Sequence, residues 1–583
     1  MFCKNGFRFG LWLFMLYMLL AFSDQASTGD SGMALRHRWV YVQTNLLVDE
    51  NVERALSIIQ RSAEAGYSGI VMTDSKFMRW DNLPAKYAEN ARKVREACRE
   101  SRLDFIACVF PIGYSNNLLS RDPNLAAGLP VIDAPFVVGN GRLVPANDSA
   151  KINNGSFEQY EGNMPNGWRF VDQPGKISFI DTVVEYEGAA SLRMQDIGTH
   201  DPQHGHGRAH QRLKVRPFSY YHVSVAVKTQ DFEAADEIRI AVLAEGGASL
   251  NYFEPRIAKT QDWQRVDITF NSLEFSEVSL YLGVWGGKGG KIWWDDVQIE
   301  PAGLVNVLRR EGAPFSVTSE DGKTVYIEGR DFDGARDPKL GNVPWSRSFS
   351  VWHEPPVMTI PPDSRLEDGQ EVLVSYYHPA LIYGGAVMCC MSEPEVYEIL
   401  KWQAEQIREK LEPDGYFMSH DEIRVQGWDQ SCEKRDMTPG QILADNVKRC
   451  TEILRQSDPG KPIYVWSDMF DPHHNAKKTG KYYLVRGDGP WYGSWEGLPQ
   501  DVTVVNWNGG EGRRLESMKH FSSRGHKQIL AGYYDADPAR ISHWLHDAAG
   551  IEGVIGVMYT TWRSNYSDLE EFAEQLNLAG RGD

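Results

Sequence analysis

GYFMSHDEIRVQGW, from Gly415 to Trp428, runs an apolar strand straight into two adjacent carboxylates, Asp421 and Glu422. Adjacent acids at the end of a strand point to opposite sides of the pleat unless the backbone turns there. A turn directly after an inward-facing strand is where a (β/α)8 barrel carries its working groups, because its site is built at the C-terminal ends of the strands. The stretch therefore predicts an α/β barrel with Asp421 and Glu422 at its mouth.

Reading outward, the flanks show the required rhythm. Before it, Trp39–Leu47, Gly69–Asp74 and Asp104–Phe110 are β-rich and alternate with helical patterns over Val52–Ala65 and Tyr87–Ser101. After it, strands at Pro462–Ser467, Val502–Trp507, Gln528–Tyr534 and Gly553–Thr560 alternate with helices at Pro439–Arg455, Gly510–Ser523 and Pro538–Ala549. Such alternation predicts a parallel α/β sheet. The count is three strands, an interruption, then five, with Glu371–Tyr377 as a competing strand that would shift it by one. Ser392 reads as the N-cap of a helix over Ser392–Leu411. In the first part, Gln43, Asn45, Asp74, Lys76 and Tyr114 end strands, as pocket residues or as ordinary loop caps.

The later strands end in Asp421-Glu422, Trp466 and Asp468 (VWSD), Trp507 (VVNWN), Tyr533 and Asp535 (GYYD), and Trp562 (YTTW). Period-2 geometry puts Trp466 with Asp468, and Tyr533 with Asp535, on common faces. The ordered series, with Trp428 six residues beyond Glu422, resembles the family 20 glycoside hydrolases, the β-N-acetylhexosaminidases, over Gly415–Trp562. The resemblance implies substrate-assisted hydrolysis. Glu422 would be the general acid, Asp421 would orient the substrate's acetamido group, and Tyr533 would donate to its carbonyl oxygen. Trp466, Trp507 and Trp562 would wall the pocket, with Asp468, Asp535, Trp428 and His420 as further substrate contacts. The chain departs from the family at Ser419 and His420, where glycines precede the pair, in VYVQTN, which lacks the strand-one arginine, and around Arg563-Ser564, where a glutamate is missing. The domain that precedes the barrel in that family is also absent from the pattern.

Between the halves, residues 146–302 carry short alternating strands separated by Gly, Asn and Asp turns, the pattern of a β-sandwich. NNGSFE (Asn153–Glu158), PNGW (Pro165–Trp168), GAASLRM (Gly188–Met194) and WWDDVQIE (Trp293–Glu300) stand in the order found in CenC-type carbohydrate-binding modules, which this segment resembles. The fold read from the whole is a TIM barrel, residues 35–145 and 381–583, interrupted by a jelly-roll, galactose-binding-like module at 146–302 and a β-rich continuation at 303–380. The module resemblance implies a structural calcium with Glu158 and Asp296 as oxygen ligands; no cofactor is expected for catalysis. Trp285 and Trp293 are either a sugar-stacking platform or sandwich core. His204, His206 and His210 have a metal-like spacing within the insertion, and His473 and His474 follow the fifth strand.

Composition narrows the function classes. A formal charge of -18 over 583 residues argues against a basic nucleic-acid surface, and 18 Trp with 25 Tyr suit a glycan-handling protein. Lys4 and Arg8 precede the apolar run Leu11–Phe22, which reads as a signal peptide over residues 1–23 and predicts a secreted or periplasmic protein without a membrane segment after cleavage; the alternative is an uncleaved membrane anchor, for which the run is short. Of seven cysteines, Cys98, Cys108, Cys389, Cys390, Cys432 and Cys450 would remain; with no C-x-x-C pair they read as buried thiols. The expected partner is an oligosaccharide or polysaccharide. Two other readings stay open: a glycosidase for sugars without an acetamido group, using Glu422 as acid and Asp468 or Asp535 as nucleophile, and a non-catalytic glycan receptor.

Overall fold

The computed structural model describes residues 35–146 and 150–579; the signal-peptide stretch 1–23 lies outside them. Eight parallel strands close a barrel: β1 (His37–Gln43), β2 (Gly69–Thr73), β3 (Asp104–Val109), β4 (Gly415–Met418), β5 (Ile463–Trp466), β6 (Thr503–Asn506), β7 (Gln528–Tyr533) and β8 (Val554–Thr560). β3 pairs with β4 from Ile106↔Gly415 to Val109↔Met418, across the whole insertion. β1 pairs with β8 to close the ring. Alternate residues fill the interior: Trp39 and Tyr41, Tyr464 and Trp466, Ile529 and Ala531, the period of two that parallel barrel strands impose.

Helices α1 (Asp49–Glu64), α2 (Ala85–Glu100), α3 (Pro394–Leu411), α4 (Pro439–Ser457), α5 (Arg513–Ser523), α6 (Ile541–Ala548) and α7 (Leu569–Ala579) form the outer layer. α1 buries Val52, Ala55, Ile58 and Ile59 at three- and four-residue spacing, the stripe by which a helix packs on a sheet. α4 opens with a full capping box between Thr438 and Gln441 and with Pro439 in its first turn. α3 differs from expectation at its start. Pro394 fixes the first turn, Glu393 holds the cap position without a side-chain cap, and the Ser392 hydroxyl caps nothing.

Glu371–Pro379 is not a barrel strand. It pairs antiparallel with Gly128–Gly139 in a six-stranded sheet that also holds Arg142–Pro145, Ser316–Ser319, Val325–Tyr326 and Met358–Thr359. Residues 128–145 thus belong to this sheet and not to the first half of the barrel. Between its strands sits the sandwich. One sheet has five strands, led by Tyr220–Gln230 and Lys291–Pro301; the other has four, with Glu277–Trp285 between Ile238–Ala244 and His206–Lys214. Val223, Val225 and Val227 from one sheet and Leu280, Leu282 and Val284 from the other are buried, as aligned sandwich packing requires. Tyr252–Phe253 of the sandwich pairs with Ile382–Tyr383, joining the module to the barrel rim. Among the described residues no helix is long and apolar enough to cross a membrane.

Candidate active site

A cavity of about 580 Å³ opens at the C-terminal end of the barrel, lined by Tyr41, Gln43, Tyr114, Asp421, Glu422, Trp466, Trp507 and Trp562 among others. Trp466 is the floor, fully buried, with the edges of Tyr41 and Phe417 against it at ring separations of 5.6 and 4.8 Å. Trp562 stands at the mouth, 45% exposed, 5.8 Å from Trp466. Trp507 is fixed by its indole N–H, which donates to Asp468 Oδ1 at 3.1 Å.

The two acids reach the same cavity because the chain turns between them. Glu422 has φ 49°, the left-handed region that a non-glycine residue enters only under constraint. The loop after β3 supplies that constraint. A Cβ added to Gly113 would lie 1.8 Å from the Asp421 carbonyl oxygen, so this position accepts only glycine while the two turns touch. Close approach of the two turns is provided by the glycine on the facing loop, and Ser419 and His420 occupy the positions before the pair.

The environments of the acids differ. Asp421 is pushed up to about 8 by burial first, then by the charges of Asp468 and Glu422. Glu422 ion-pairs with Arg424 and accepts the Tyr114 hydroxyl at 2.5 Å. Arg424, 2% exposed, lies within 5.4 Å of the ring centres of Tyr114, Tyr383 and Tyr483, a cation–π cage that desolvation strengthens. Asp468 does not line the cavity. It is fully buried, which raises its carboxyl, and its oxygens accept from the Glu422 backbone N–H at 3.0 Å, Asn475 at 2.9 Å and Trp507. Its part is to hold the Glu422 turn and the Trp507 wall.

Several expected contacts fall elsewhere. Tyr533 faces the helix layer, stacked on Tyr559 at 4.2 Å, with its hydroxyl donating to Asp568 at 2.5 Å. Residues 533, 534 and 535 have φ of 73°, 50° and 55°, and alternation fails where the backbone is not extended. Tyr534 takes the inward place, between Trp507 and Trp562, with a buried hydroxyl that has no partner. Asp535 braces the loop after β8 by accepting from Thr561 and from the backbone of Trp562 at 2.9 Å and Arg563 at 3.2 Å. Trp428 points away, its indole donating to the Leu484 carbonyl at 2.8 Å. His420 is fully buried on the helix side, bonded to Asn446 at 2.9 Å, and burial lowers it to about 4. In the first half, Gln43 and Tyr114 line the cavity, whereas Asn45 and Asp74 cap loop N–H groups and Lys76 pairs with Asp74. Sequence reasoning missed Arg424, Tyr41 and Tyr534; for Arg424 the signal was a lone cation two residues past an acid.

In the sandwich, Glu158 Oε1 accepts from the N–H groups of Ala189 and Ala190 at 2.8 and 3.1 Å, and Asp296 pairs with Arg265 and accepts from Gln298. Asp296 is turned by its φ of 42°, and Asp295 is the inward acid, accepting from Tyr186 at 2.8 Å and pushed up to about 6 by burial. Trp293 is core, its indole donating to Asp181 at 2.9 Å, while Trp285 is half-buried beside Arg208. His204 and His206 stack on each other and His210 stacks on Tyr281; the three join no ligand cluster among the described residues. The six cysteines are buried and unpaired by disulfides.

Compared with known proteins, residues 149–288 match the family described as a carbohydrate binding domain. No curated protein matches the chain. Among solved structures, a module designated TmCBM61, in complex with beta-1,4-galactotriose, is 16% identical, covering 26% of this chain and 97% of its own, with a TM-score of 0.20. A CBM4 module is 22% identical over 26% of this chain and 99% of its own, with a TM-score of 0.19. A rhamnosidase from Novosphingobium sp. PP1Y is 11% identical; the alignment covers 94% of this chain and 59% of that one, with a TM-score of 0.31. A carbohydrate-binding domain therefore sits inside a chain whose closed barrel carries a carboxylate pair at its mouth.

Proposed function

We propose that this protein is an exported glycoside hydrolase acting on β-linked N-acetylhexosamine by substrate-assisted hydrolysis, with its carbohydrate-binding domain holding it on a glycan. One observation carries the reading: the carboxyl groups lining the aromatic-walled cavity are the adjacent pair Asp421 and Glu422. Asp468 and Asp535, the candidates for a separate nucleophile, have their oxygens taken up by protein donors. A substrate that brings its own nucleophile needs no further acid, which is the known exception to the two-carboxylate scheme.

The environments favour a division of roles opposite to the one the family resemblance implies. Asp421, held near 8, carries the proton at neutral pH and gives it to the leaving glycosidic oxygen as the acetamido carbonyl oxygen attacks the anomeric carbon. Glu422, fixed by Arg424 and Tyr114, supplies the negative charge beside the cation that develops. Water then opens the cyclic intermediate and returns a proton to Asp421.

The test is turnover of aryl β-N-acetylglucosaminides and galactosaminides against aryl β-glucosides, with poor and activated leaving groups. Asp421→Asn should lose about 10²–10⁴-fold on poor leaving groups and recover on activated ones, as removal of a proton donor does. Glu422→Gln should stay impaired on both. If Glu422→Gln is the variant rescued, the roles revert; turnover confined to glucosides sinks substrate assistance.

A further inference from the structure

The loop that leaves the acid pair passes through a buried polar cluster that hydrolysis does not use. After Val425–Gln426 the chain turns at Asp429, whose Oδ1 accepts the Cys432 backbone N–H at 3.1 Å and caps the short helix Gln430–Glu433. Cys390, from the segment ahead of α3, enters the same space. Its sulfur lies 3.6 Å from Cys432 Sγ and 3.4 Å from Asp429 Oδ1. The three side chains are buried, with their ligating atoms all within 4.8 Å of one another. Gln426, 1% exposed, touches Cys432 Sγ with its amide nitrogen at 2.9 Å, and its carbonyl oxygen has no partner.

These separations have a physical meaning. A disulfide needs its sulfurs at about 2.05 Å. Zinc bound tetrahedrally, with Zn–S near 2.3 Å and Zn–O near 2.0 Å, sets S···S edges of about 3.7 Å and S···O edges of about 3.5 Å. The Cys390–Cys432 separation of 3.6 Å and the Cys390–Asp429 separation of 3.4 Å match two edges of such a tetrahedron. We propose that Cys390, Cys432 and Asp429, with the Gln426 amide oxygen as fourth ligand, form a closed structural zinc site that pins the loop carrying Asp421 and Glu422.

Charge and chemistry agree. Two thiolates and a carboxylate around a dication leave one net negative charge, and Arg310 meets it by donating to Asp429 Oδ2 at 2.7 Å. Arg310 also holds Glu393 at 2.6 Å, which orients the guanidinium; such outer partners fix the ligands they touch. Two sulfur ligands favour zinc over magnesium or calcium. The orphan oxygen of Gln426 points to a cation because a buried acceptor without a donor is otherwise costly, and rotating its amide turns that oxygen toward the sulfurs. The Asp429-Gln-Ser-Cys432 spacing is the i, i+3 of a C-x-x-C pair with a carboxylate in first place, and the third ligand stands 39 residues upstream.

The test needs no substrate. Full-length protein purified without chelators is assayed for zinc by plasma mass spectrometry, and the metal is exchanged for cobalt(II). Expected are one zinc ion per chain and a near-ultraviolet thiolate-to-cobalt charge-transfer band. Cys432→Ser and Asp429→Asn should weaken zinc binding at least about 10-fold, with circular dichroism unchanged, while Cys98→Ser, in a buried thiol outside the cluster, should keep full loading. The cobalt spectrum of the unaltered protein decides the matter should the variants misfold. Reduced protein that takes up neither metal from excess solution overturns the site. So does an intact mass two hydrogens lighter, mapping to a Cys390–Cys432 disulfide.

Discussion

Asp421→Asn should flatten the pH dependence of stability. Asp421 in the folded protein is held near 8, while an exposed aspartate titrates near 3.8. Between these values the folded state keeps a proton that the unfolded chain has released, so raising the pH favours unfolding. The stabilisation is complete below the unfolded value and is lost as pH climbs through about 8. At ~1.36 kcal/mol per pH unit, the loss from about pH 5 to about pH 9 is at most about 4 kcal/mol. Asp421 is partly open to the cavity, and water there eases its charging, which brings the expected loss to about 2 kcal/mol.

The assay is urea unfolding of both proteins across that range, followed by circular dichroism. Titrations the two proteins share cancel in the difference, and what remains is Asp421 with the relief its removal gives to Asp468, whose carboxyl is also raised by burial. The asparagine variant should gain on the wild type steadily as pH rises. Parallel curves would refute the proton on Asp421, and with it the division of roles proposed for the pair.

Four further substitutions test the geometry. Tyr534→Phe removes a buried hydroxyl that has no partner and should leave stability unchanged or slightly higher with activity kept; Tyr533→Phe should cost about 1 kcal/mol through its bond to Asp568, also with activity kept. Thermal melts and steady-state rates on the two proteins separate these outcomes. Gly113→Ala drives a methyl into the Asp421 carbonyl and should cost about 1–3 kcal/mol together with most activity, whereas Gly139→Ala, with open space around it, should be silent in the same measurements.

The barrel was legible because each strand is a short apolar run with a helix after it, and because the insertion falls in a loop, where it leaves the β3–β4 pairing intact. The sandwich was legible from turn spacing. Individual side chains were less so, for reasons that differ. Trp428 and His420 are close to the acids in sequence, but the turn that brings Asp421 and Glu422 inward carries their neighbours outward. Tyr533 was assigned by counting in twos, which holds only for extended backbone; three consecutive left-handed residues, none of them glycine, shift the inward place to Tyr534.

The roles of the acids were the least legible part, because adjacent carboxyls are equivalent in a sequence and become unequal only through what surrounds them. The Asp421 carboxyl is raised chiefly by burial and by Asp468, a residue whose oxygens are already engaged with the Glu422 backbone 46 residues away and with the Trp507 wall. Glu422 owes its charge partner to Arg424, two residues on, whose desolvation is possible only because Tyr114, Tyr383 and Tyr483 converge on it from three loops. Two of those loops are tied to the sandwich: Tyr252 packs on Tyr483 at 4.5 Å and pairs with Ile382 beside Tyr383. The inserted module is therefore part of the wall around the Arg424–Glu422 ion pair, and removing it would expose Arg424 to water and weaken that pair.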